Sequence, residues 1–142
     1  MKYLLDTCVI SELVRKQPQQ HVIDWIDRVD AAYLYLSVVT IGEIRKGIEK
    51  LADSRRKTEL LAWLQHDLLI RFRSTILPLD VETMLVWGTM NGQLARQGTP
   101  LPAIDSLLAA LAVRYDLTLV TRNIADFKAA PITLFNPWEN EK

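Results

Sequence analysis

Short apolar runs alternate with longer amphipathic stretches along most of the 142 residues. Residues 3–5 read as a brief buried strand and 7–14 as a helix, followed by a polar break at 16–20 that contains Pro18. Between 21 and 29, Val22, Ile23, Trp25, Ile26 and Val29 recur at helical spacing. Residues 32–39 are aromatic and β-branched, which predicts a central strand, and 40–51 then follow as a helix with Ile41, Ile44 and Ile48 on one side. A charged patch at 53–57 opens a longer amphipathic helix through Leu60, Leu61, Leu64 and Leu68. A short strand is predicted at 76–79 and a helix at 81–96, ended by Gly98. After a turn at 99–101, Pro102 suits the first position of a helix that runs to about Arg114. The last two strands are expected at 117–121 and 132–135, with a helical turn at 123–128 between them. This alternation predicts an α/β protein, a mainly parallel sheet flanked by helices, in a single domain spanning 1–142.

Four acids fall where a β-run gives way to a helix or where a helix opens. Asp6 follows KYLL, Glu43 follows LYLSVVTIG, Asp105 follows LPAI and Asp126 follows LTLVTRNIA. In an open parallel sheet the carboxyl ends of the strands line one edge, where ligands bind. Helix capping explains each acid singly. Asp6 suits an N-cap, Thr40-Ile-Gly-Glu43 fits a capping box, Asp105 suits the positive first turn of a helix, and Asn123-Ile-Ala-Asp126 forms a looser cap. Capping does not require all four, nor the apolar flanks Leu4-Leu5 and Ala103-Ile104 that draw two of them inward. No Lys or Arg lies within three residues of Asp6 or Asp105. Carboxylates gathered without a basic partner repel one another and need a proton or a cation. An oxygen-only set points to Mg²⁺ or Mn²⁺ in preference to zinc.

Composition narrows the field without adding a lead. Seventeen basic and seventeen acidic residues cancel, so attraction to nucleic acid would have to come from a local patch. Arg45, Lys46 and Arg122 stand nearest the acids and suit the phosphates of an entering strand, whereas the run at 55–57 reads as a solvated helix face. The lone Cys8 excludes an internal disulfide and fits a reducing, cytoplasmic setting. MKYLLDT meets Asp6 too early for the apolar stretch of a signal peptide, and no apolar run is long enough to span a bilayer. Cys8 and Arg15 are one residue too far apart for a phosphatase loop, and Cys8 occupies the place where a haloacid-dehalogenase start needs a second Asp. His21 and His66 are isolated surface residues in this reading, which argues against a zinc site. There is no Gly-rich phosphate loop and no serine elbow.

The runs Leu4-Leu5-Asp6-Thr7-Cys8-Val9-Ile10-Ser11-Glu12 and Thr40-Ile-Gly-Glu43-Ile-Arg45-Lys46-Gly47-Ile48 resemble PIN-domain toxins of the VapC type. Pro102-Ala-Ile-Asp105, then Leu119-Val-Thr121-Arg122-Asn123-Ile-Ala-Asp126-Phe127 and Asn136-Pro137-Trp138, carry the likeness to the end of the chain. The FitB-like, plasmid-stability branch is the nearest subgroup. The resemblance implies a three-layer α/β/α fold and an Mg²⁺-dependent endoribonuclease, with Mn²⁺ able to substitute. It implies a VapB-like antitoxin, an RNA substrate with tRNA as one candidate, a homodimer and a larger assembly with the antitoxin. Carried over by position, Asp6, Glu43, Asp105 and Asp126 form the acidic metal centre, and Thr121, with Thr7, orients ligands or water through its hydroxyl. The chain departs from the family's pattern at Cys8, where Asn is frequent, and at Asn123, which some relatives fill with Asp. A thiol is the weaker hydrogen-bond partner. Two rivals stand beside this reading: a non-catalytic PIN-like module holding a basic peptide in its acidic cleft, and a metal-dependent phosphatase or receiver-like fold.

Overall fold

The computed structural model describes residues 1–139. Five strands form one sheet in the order β3-β2-β1-β4-β5, and every neighbouring pair is parallel. They are β1 (Tyr3–Leu5), β2 (Leu34–Ser37), β3 (Ile76–Leu77), β4 (Thr118–Val120) and β5 (Leu134–Phe135). The pleat splits the core in two. Leu4 and Leu119 face Leu108, Leu111 and Phe127, whereas Leu5 and Val120 face Val9, Ile10, Ile26, Leu36 and Phe72. All of these side chains are buried, which explains why the central strands read as unbroken apolar runs.

Helices α1 (Thr7–Glu12), α2 (Gln20–Arg28), α3 (Val38–Glu49), α4 (Arg55–Trp63) and α5 (Leu69–Arg71) serve the second cluster. Helices α6 (Val81–Arg96) and α7 (Ala103–Tyr115) cover the other face. This is a PIN-like α/β/α sandwich, and the expected class holds. In α7 the run from Leu108 to Ala112 is wholly buried, so the helix is packed on more than one side. Gly98, at φ 76°, ends α6 in the left-handed conformation that glycine adopts without strain.

Several boundaries differ from the sequence expectations. β2 stops at Ser37, because the Ser37 hydroxyl accepts the Val39 N–H at 2.9 Å and starts α3 there. Val38 and Val39 therefore belong to the helix despite their β-propensity, and Thr40 is a buried helical residue instead of a cap. The helix expected from the 53–57 patch onward begins after Ser54, widens into a π-turn at Leu64–Leu68 and continues as α5. α1 ends two residues early at Glu12, Pro102 stands just before α7, and the strands β3, β4 and β5 are shorter than predicted.

The strand order places β1 between β2 and β4, so the crossovers leave β1 in opposite directions. That reversal opens a crevice at the carboxyl ends of β1 and β4, the place where such sheets bind ligands.

Candidate acidic active site

Asp6 ends β1 at this crevice. Its extended backbone (φ −71°, ψ 161°) puts the carboxylate over the start of α1, where Oδ1 accepts the Thr7 N–H at 2.7 Å. Across the switch point, the Thr121 hydroxyl at the end of β4 donates to Oδ2 at 2.8 Å. Thr121 is fully buried, and its Oγ1 also accepts the Asn123 N–H at 3.0 Å, which bends the chain after β4 around Asp6. The Cys8 thiol lies 3.8 Å from the same Oδ2 and 3.9 Å from Thr121 Oγ1, a weak contact where the resemblance leads one to expect Asn. Only 7% of Asp6 is exposed. Burial raises its carboxyl above the ordinary range; the bonds from Thr121 and Thr7 oppose this, and the Glu43 charge adds to it. Burial, followed by the Asp6 charge, likewise raises the Cys8 thiol.

Glu43 is not a cap. It lies in the second turn of α3, and the Thr7 hydroxyl donates to its Oε1 at 2.6 Å. The expected capping box fails because Ser37 already caps the helix three residues upstream of Thr40. Asp105 sits in the first turn of α7, where the helix dipole favours an anion. Its carboxyl is nevertheless pushed up to about 6, by burial first and then by the charges of Asp6, Asp126 and Glu43. Desolvation and like charge together outweigh the dipole. Asp126 lies in the 3₁₀ turn Ile124–Phe127, exposed, with its N–H bonded to the Asn123 carbonyl at 3.1 Å. The Asn123 side chain caps nothing.

The four acids thus come from four separate segments into one electrostatic neighbourhood. Among the described residues none of them pairs with Lys or Arg, although ion pairs form elsewhere on the surface. Oxygen donors lacking a basic partner suit a hard divalent cation. Among the described residues no group of three or more His, Cys, Asp or Glu stands close enough together to hold a metal ion. Asp6 is held by Thr7 and Thr121 and Glu43 by Thr7, so approach to an ion would fall to the exposed Asp126 and the partly buried Asp105.

Glu43 also stands at the rim of two grooves. One, of about 310 Å³, runs between α1, α3 and α4 and is lined by Val14, Ile44, Ile48, Leu51, Leu60 and Trp63. The other, of about 340 Å³, lies between α3 and α7 beside Val38, Gly42, Lys46 and Ile104. Of the basic residues near the acids, Arg45 is engaged with Glu49 at 3.0 Å, and Lys46 is exposed. Arg122 lies over the Trp138 ring, 5.3 Å from its centroid. His21 is not isolated, since its Nε2 lies 3.0 Å from the Trp138 carbonyl oxygen and ties α2 to the C-terminal segment. No local signal announced the Thr7–Glu43 bond, which spans 36 residues. Among the described residues no helix is long and apolar enough to cross a membrane.

This sheet, with its acidic crevice at the β1/β4 switch point, defines a class. The PIN domain family matches residues 3–132, and the chain belongs to that family. It is 35% identical over 137 residues to Toxin FitB of Neisseria gonorrhoeae, covering 96% of this chain and 99% of that protein. It is 32% identical over 136 residues to VapC ribonuclease Y4jK of Sinorhizobium fredii, covering 96% and 97% respectively. Among solved structures, FitAB bound to an IR36 DNA fragment superposes with a TM-score of 0.92 at 34% identity, covering 99% of this chain and 98% of that one.

Proposed function

We propose that the chain is a divalent-metal-dependent endoribonuclease, the toxin of a toxin–antitoxin pair. One observation carries the reading. The Asp105 carboxyl is held up to about 6 by burial and by three other acids, and no described Lys or Arg pairs with any of the four. The relatives named FitB toxin and VapC ribonuclease support the activity, and the FitAB complex supports the antitoxin.

In this reading Asp6 and Asp105 would hold Mg²⁺ or Mn²⁺, Glu43 would support the ion or serve as general base, and Asp126 would complete the charge. The ion supplies positive charge that lowers the pKa of the water and offsets charge on the phosphoryl oxygens. Thr121 keeps Asp6 Oδ2 aimed by its 2.8 Å bond. Lys46 and Arg122, exposed beside the acids, suit the phosphates of the RNA strand, tRNA among the candidates. An amphipathic antitoxin segment fits the apolar groove beside Glu43, and an Arg reaching from it toward the carboxylates would displace metal and substrate together. A homodimer, assembled further with the antitoxin, and a cytoplasmic setting belong to the same proposal.

The test is cleavage of RNA with mapped ends in Mn²⁺, in EDTA, and by folded Asp105→Asn protein. Cleavage by the wild type in Mn²⁺ alone is expected. Cleavage that persists in EDTA and in the variant overturns the mechanism. A folded protein that binds a basic peptide yet spares RNA would replace the nuclease with a binding module.

A further inference from the structure

We infer that Thr7 is the positioning residue that locks Glu43 to the Asp6 end of the site, through the single proton of its hydroxyl. The inference deepens the proposed function and rests on that reading for its catalytic consequence, though not for its geometry.

Glu43 reaches the site from α3 and lines two grooves. A glutamate in such a place has three rotatable bonds and no described cation to hold it. Its one described hydrogen-bond partner is Thr7 Oγ1, at 2.6 Å. A carboxylate only accepts, so the Thr7 hydroxyl proton is committed to Glu43. Thr40 Oγ1, fully buried, accepts only a second and longer contact from the same Thr7 hydroxyl, at 3.4 Å, so the single proton goes to the shorter Glu43 bond. The Thr7 backbone N–H binds Asp6 Oδ1 at 2.7 Å. Thr7 therefore touches two of the four acids at once, with two different groups, and sets Glu43 relative to Asp6. The β-branch adds to this, because it leaves the hydroxyl few rotamers in a helix.

Removing the hydroxyl while keeping the shape, as in Thr7→Val, leaves the Asp6 contact and frees Glu43. Groups that orient metal-binding side chains typically cost 10–100-fold in affinity or activity when lost. Thr7→Val is expected to weaken Mn²⁺ binding, measured by calorimetry, and RNA cleavage by about that factor. Thr7→Ser, which retains the proton, is expected to restore both. In a Glu43→Ala background Thr7→Val is expected to add nothing, because the group it positions is gone. Equal losses in Thr7→Val and Thr7→Ser, or a Thr7→Val loss undiminished in the Glu43→Ala protein, would overturn the inference. Metal-free crystal structures of the wild type and Thr7→Val separate it from the nuclease reading. Glu43 unmoved in the variant refutes the positioning role even if RNA is cleaved. Glu43 released in the variant upholds that role even if the wild type neither binds Mn²⁺ nor cleaves.

Discussion

Neutralising Asp105 should stabilise the metal-free protein at neutral pH and destabilise the metal-loaded one. In the unfolded chain this carboxyl titrates near 3.8, whereas in the fold it keeps its proton up to about 6. Between those values the folded state binds the more protons, so stability falls as pH rises through the window, and the full penalty is present at pH 7. The whole interval corresponds to about 3 kcal/mol at 1.36 kcal/mol per pKa unit. Asp105 is only partly buried, and water and salt screen such a charge, which leaves about 1–2 kcal/mol. Asp105→Asn keeps the shape and removes the charge, so in EDTA at pH 7 it should melt about 3–6 °C above the wild type for a chain of this size. The difference should shrink steeply toward pH 4 and vanish only below about pH 3, where the wild-type carboxyl is protonated in both states. Saturating Mn²⁺ at a hundredfold excess over its dissociation constant would add about 2.7 kcal/mol to a protein that binds it. The wild type should gain this and Asp105→Asn should gain little, so the order of the two melting temperatures reverses. Thermal melts by circular dichroism at pH 4, 5, 6 and 7, with EDTA and with Mn²⁺, read both arms. Parallel pH profiles in EDTA would show that neither burial nor the other acids raise the Asp105 carboxyl, and equal Mn²⁺ gains would remove it from the metal site.

Other outcomes follow from the same contacts. Thr121→Val removes the donor to Asp6 Oδ2 and the acceptor of the Asn123 N–H, so it should cost about 1–3 kcal/mol in urea melts and depress cleavage, with Thr121→Ser close to wild type. Asp126→Asn should move the Asp105 titration, followed by carboxyl-carbon NMR, back toward 3.8, because one of the charges raising it is gone; an unchanged midpoint would separate the two acids. Ser37→Ala should lower stability in urea melts by about 1 kcal/mol, the usual cost of a lost N-cap; an unchanged midpoint would count against the observed start of α3.

The architecture was legible because the strands are short, buried on both sides and separated by amphipathic helices. Leu4-Leu5 and Leu119-Val120 each send one residue to either core, and such runs can be read without knowing their neighbours. Boundaries were less legible where propensity and capping disagree. Val38 and Val39 favour a strand, yet Ser37 caps a helix in front of them and the cap wins. The π-turn at Leu64–Leu68 leaves no trace in a pattern that still repeats apolar residues at near-helical spacing.

The site was legible in its charges and illegible in its hydrogen bonds, for one physical reason. A carboxylate at the end of a strand is visible in the chain because burial makes it unusual, as Asp6 and Asp105 are among apolar neighbours. What holds it comes from wherever the sheet brings a donor: Thr121 to Asp6 from 115 residues away, Thr7 to Glu43 from 36. Local reading filled that gap with the nearest local explanation, a capping box from Thr40 to Glu43, whereas the donor that reaches Glu43 is Thr7. Thr40 and Glu43 both face the Thr7 hydroxyl, which reaches Glu43 at 2.6 Å and Thr40 only at 3.4 Å. A cap would spend Glu43 on starting a helix. A bond from Thr7 instead leaves its second oxygen free of any described partner, on the side of the fold where Asp6 already stands. The difference between those two bonds is the difference between a structural glutamate and one available for chemistry.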